Sequence, residues 1–113
     1  MALEHADPGE PRDVRPFGPT LADRRTAAIF KSRQLEVMRV VLPAGKTLPP
    51  HKVPGEITIQ CIEGVLVVGL DTGERRLEAG QVLFLQGNAV HDLRAETDAS
   101  ALVTIVLHGG AGG

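Results

Sequence analysis

From Thr26 onward the apolar residues come in short runs, and no segment sustains a 3.6-residue apolar period. In 35–42 (LEVMRVVL), Val37, Arg39 and Val41 share one face of a strand, and Glu36, Met38, Val40 and Leu42 share the other. The alternation is cleaner in 57–62 (ITIQCI), with Ile57, Ile59 and Cys61 set against Thr58, Gln60 and Ile62. Further strands are predicted over 26–30, 65–70, 75–78, 82–85, 90–95 and 101–107. Turn signals separate them at Pro43-Ala44-Gly45, Glu63-Gly64, Asp71-Thr72-Gly73 and Ala79-Gly80. Short strands at near-regular spacing, without an internal repeat, predict an all-β sandwich or barrel.

The first 24 residues follow a different pattern. Four of the eight prolines (Pro8, Pro11, Pro16, Pro19) lie there among Asp, Glu, Arg and Gly, which predicts an extended or flexible arm over 1–24. Phe17 and Leu21 are its candidate docking residues, a loose tail being the alternative. The barrel domain is expected over 25–108 and a frayed end over 109–113. At 113 residues there is room for one modest core and no second domain. So small and aliphatic a domain gains from pairing, and a homodimer is expected, with the arm a candidate for exchange between subunits.

Charge and composition narrow the partners. The formal net charge is −2, and Arg24-Arg25 and Arg75-Arg76 are the densest basic clusters. With three Phe, no Tyr and no Trp, the chain lacks both the basic stripe and the stacking aromatics of a nucleic-acid binder. No apolar run approaches the ~20 residues of a membrane helix. Cys61 is the single cysteine, and the start MALEHADPGEPRD lacks the basic and apolar regions of a signal peptide. A cytoplasmic location is the expectation.

Two segments carry candidate chemistry. The first runs from Gly45 through His51, Val53, Glu56 and Ile57 to Gly64; the second runs from Gly80 through Gln86, Asn88 and His91 to Ala95. Their spacing resembles the two motifs of the cupin superfamily, a resemblance that covers about half of the chain through Gly45, His51, Gly64, Gly80 and His91. It implies a cupin-type double-stranded β-helix, a jelly-roll barrel with a central pocket. In metal-binding cupins the first motif supplies two His and a Glu, and the second a further His. Here Val53 replaces the second His and Ile57 replaces the Glu, leaving His51 and His91. Glu56 sits one position early and should face away from the pocket unless Pro54-Gly55-Glu56 forms a bulge.

The expected pocket therefore comprises His51, Val53, Ile57, Ile59, Cys61 and His91. Two imidazoles fall short of the three protein ligands usual in a catalytic metal site. Cys61 and His108 are the other donors weighed, and the simpler reading of Cys61 is a small buried apolar side chain. The favoured function is binding of a small, mainly apolar molecule, with no cofactor expected. The alternative is a metal-dependent enzyme of the dioxygenase, isomerase or decarboxylase type, using a divalent metal on His51, His91 and an unidentified third ligand. A domain serving association alone is compatible with either. The residues leave open whether the chain is an enzyme.

Overall fold

A computed structural model describes residues 5–107. Among these, nine strands form two antiparallel sheets. They are β1 (Ala27–Lys31), β2 (Leu35–Leu42), β3 (Thr47–His51), β4 (Ile57–Glu63), β5 (Val65–Leu70), β6 (Gly73–Glu78), β7 (Val82–Leu85), β8 (His91–Ala95) and β9 (Ala99–Val106). One sheet runs β1-β2-β9-β4-β7 and the other β3-β8-β5-β6. The chain passes repeatedly from one sheet to the other, and the result is the expected jelly roll.

Register turns the alternation into a core. Met38, Val103 and Ile59 align across β2, β9 and β4, and Val40, Ala101 and Cys61 form the next row on the same face. Leu48, Leu93 and Val68 align across β3, β8 and β5 of the second sheet. Buried members of these rows form one hydrophobic cluster. Its largest fully buried side chains include Ile59, Leu66 and Val68. Burying each such side chain contributes roughly 1.5–3 kcal/mol.

β3 was not predicted, for a physical reason. Its sequence, TLPPH, contains two prolines that cannot donate to a ladder, and such residues normally argue against a strand. The segment is tolerated because β3 lies at a sheet edge, and its pairing with β8 is irregular between Leu48 and His51.

The described part of the arm lies against the barrel. A 3-10 turn over Gly18–Asp23 buries Leu21 to 5% exposure, and the Ala6 amide donates to the Ile29 carbonyl at 2.8 Å. The main attachment is polar and was not anticipated. Arg39, placed by alternation between Val37 and Val41 on the outer face, is 5% exposed. Its Nη2 donates to Glu63 Oε2 (3.2 Å), to Ser100 Oγ (3.0 Å) and to the Arg15 carbonyl (2.8 Å). The Glu63 carboxylate also accepts from Ser100 Oγ (2.5 Å) and from the amides of Phe17 (2.9 Å) and Gly18 (3.1 Å). The Arg39 guanidinium lies 4.0 Å from the centre of the Phe17 ring. Burial pushes the Glu63 carboxyl up, but the hydrogen bonds from Ser100, Phe17, Gly18 and Arg39 outweigh it and hold the group below its ordinary value. Burial lowers the Arg39 guanidinium, and its bond to Glu63 opposes the shift.

His108 and residues 109–113 lie outside the described residues, as do residues 1–4.

Candidate functional site

Between the two sheets lies a cavity of about 300 Å³. The first sheet lines it with Met38 and Val40 from β2, Ile57 and Ile59 from β4, and Val103 and Ile105 from β9. The second sheet contributes Leu48 and His51 from β3, and His91 and Leu93 from β8; Val53 and Thr26 complete the lining. Thr26 is internally engaged: its Oγ1 accepts from the Val41 amide (2.9 Å) and donates to the Val41 carbonyl (3.4 Å). The lining is thus aliphatic apart from two imidazoles.

His51 and His91 are direct partners across β3 and β8, which puts both side chains on one face of the sheet. Their ring centroids are 4.4 Å apart and their planes are tilted by 55°. His91 is buried to 4% exposure, whereas His51 is exposed and marks the open side of the cavity. Each ring is held by the backbone two residues earlier. His51 Nδ1 donates to the Pro49 carbonyl at 3.1 Å, and His91 Nδ1 to the Ala89 carbonyl at 2.9 Å.

Five of the six residues expected to form the pocket come together here: His51, Val53, Ile57, Ile59 and His91. Cys61 does not line the cavity, and that expectation is corrected. It shares the inward face but lies one row beyond Ile59, beside Ala101, with its thiol donating to the carbonyls of Gly64 (3.3 Å) and Glu63 (3.5 Å). Burial pushes the thiol up from its ordinary value. Glu56 is exposed and contributes nothing to the lining. Val53 and Ile57 present hydrocarbon to the cavity, and among the described residues no three His, Cys, Asp or Glu side chains cluster to hold an ion.

A family model described as a cupin domain matches residues 38–108. The chain belongs to the cupin family. Among solved structures, this cupin is similar to a cupin superfamily protein from Desulfitobacterium hafniense DCB-2, with TM-score 0.72 and 16% identity over 85% of this chain and 94% of that one. It is also similar to an RmlC-like cupin from Desulfovibrio desulfuricans, with TM-score 0.72 and 26% identity over 85% and 95% of the two chains. A Streptococcus pyogenes protein of unknown function aligns at TM-score 0.72 and 17% identity over 94% and 96%. No curated protein matches it by sequence. These likenesses concern the fold; a reaction is carried by particular side chains. Among the described residues, no helix of this cupin is long and apolar enough to cross a membrane.

A second, larger cleft of about 550 Å³ lies between the arm and β1, where Phe17, Arg24, Arg25 and Arg39 meet Ala27 and Ile29. Sequence reasoning did not find it. Its one sequence signal is a charged residue, Arg39, alternating with two valines on a strand face.

Proposed function

We propose that this cupin binds a small, mainly apolar molecule in its barrel, without the complete metal site of its metal-dependent relatives. The observation that carries the reading is the lining of the 300 Å³ cavity: aliphatic side chains supply contact area and two imidazoles supply the orienting polar groups. Val53 and Ile57 belong to that lining, so the substitutions that remove two metal donors are the same ones that make the pocket apolar.

One observation favours the alternative, a metal-dependent enzyme. Both imidazoles donate Nδ1–H to a backbone carbonyl, the arrangement that commonly presents Nε2 to a metal. The deciding experiment is elemental analysis of the purified protein, repeated on the Val53→His/Ile57→Glu double variant. The expected outcome is substoichiometric metal in the native protein and stoichiometric metal in the variant. Stoichiometric metal in the native protein would overturn the proposal.

We further propose a cytoplasmic homodimer. A lone, buried thiol suits a reducing compartment. Val82 and Phe84 on the edge strand β7 are 59% and 66% exposed, which suits a surface covered by a second copy.

A further inference from the structure

We propose that the His51–His91 pair is a double hydrogen-bond acceptor, so that the pocket selects an uncharged, mainly apolar molecule carrying an O–H or N–H donor over a carboxylate. This rests on the reading of the cavity as a small-molecule site and names the chemical class that it takes.

Backbone geometry supplies the argument. A carbonyl oxygen only accepts, so the bonds to Pro49 and Ala89 require the proton of each uncharged ring to sit on Nδ1. Each Nε2 is then left with a lone pair and no proton. Among the described residues neither Nε2 has a hydrogen-bond partner, and no buried side-chain nitrogen or oxygen is sealed off without one. The Nε2 of the buried His91 therefore opens on the cavity that its ring lines. No other lining side chain offers a donor: Thr26 spends its hydroxyl proton on Val41, and the rest are hydrocarbon or thioether. A carboxylate entering this space would lose its water and meet the lone pair of His91 Nε2, with the acceptor Nε2 of His51 at the exposed side and no donor to offset either. A hydroxyl would satisfy an acceptor that is otherwise left dry, which is worth about tenfold in affinity.

The test is isothermal titration of chelator-treated protein, in mildly alkaline buffer, with four probes of similar shape: phenol, anisole, toluene and benzoate. Phenol should bind about tenfold more tightly than anisole or toluene, and benzoate should not bind. Equal affinities for phenol, anisole and toluene would overturn the acceptor pair while leaving the apolar pocket standing. Benzoate binding as tightly as phenol would also overturn it. Failure of all four probes to bind would overturn both the acceptor pair and the small-molecule reading beneath it. Nitrogen-15 NMR of the histidine rings tests the same point without a ligand or a variant. Both rings should show the Nδ1-protonated tautomer, and Nε2–H in either would sink the proposal.

Discussion

Gly64 turns the chain from β4 into β5 with φ 77°, and a Cβ there would strike the Asp98 carbonyl and Ala99. Both effects oppose any side chain, since positive φ strains an L-residue and the obstacle is backbone that cannot swing away. Gly64→Ala should therefore destabilise the protein by about 2 kcal/mol in chemical denaturation. Asn88 takes φ 64°, a left-handed conformation that asparagine adopts more readily than most residues. Cys61 shows where reasoning from single residues stops. Alternation correctly gave its face, but depth within the barrel depends on which residues lie opposite, and pairing partners are not written in local sequence. With its thiol buried and raised, Cys61 should resist alkylation in the native protein and react freely only after denaturation. Rapid native labelling, followed by mass spectrometry, would contradict this.

Elements differ in how plainly the chain announces them. β4 was legible because clean alternation and a following glycine agree, whereas β3 was hidden because Pro49 and Pro50 are acceptable only at an edge, and edge position is a property of the finished sheet. The arm's attachment was hidden for a similar reason. Arg39, Glu63 and Ser100 come from three strands far apart in sequence, and only the β2-β9-β4 order makes them neighbours. Glu63→Ala would leave the Arg39 guanidinium buried and poorly compensated, at a cost of about 3 kcal/mol. It should also release the arm, seen as faster proteolysis within 5–24. Acid should act in the same direction. Because the folded state holds Glu63 below its ordinary value of 4.5, its stabilisation is full above that value and is lost as pH falls through the lower folded value. Denaturation curves across that acid window should show a slope in the native protein that Glu63→Gln flattens.

The whole molecule joins one sheet with an open apolar edge to another that carries the imidazoles. If the proposed dimer forms through the exposed side chains of β7, Phe84→Lys should shift the protein towards monomer in sedimentation at micromolar concentration while leaving the fold intact by circular dichroism. An unchanged sedimentation profile would place the interface elsewhere or remove it. At this scale the barrel and both histidines were legible, because the turn glycines and the His spacing survive in the chain. The cavity's dimensions and the cleft beneath the arm were not, since volumes emerge only when sheets are set face to face.

Pro49 and Pro50 have one more effect. A β-sheet edge ordinarily invites a stray strand to zip on, the first step of runaway assembly. Two adjacent residues without N–H groups make the edge beside His51 a poor template, so the cavity's rim stays clear of added peptide backbone. The prolines thus act as a guard rail beside the doorway.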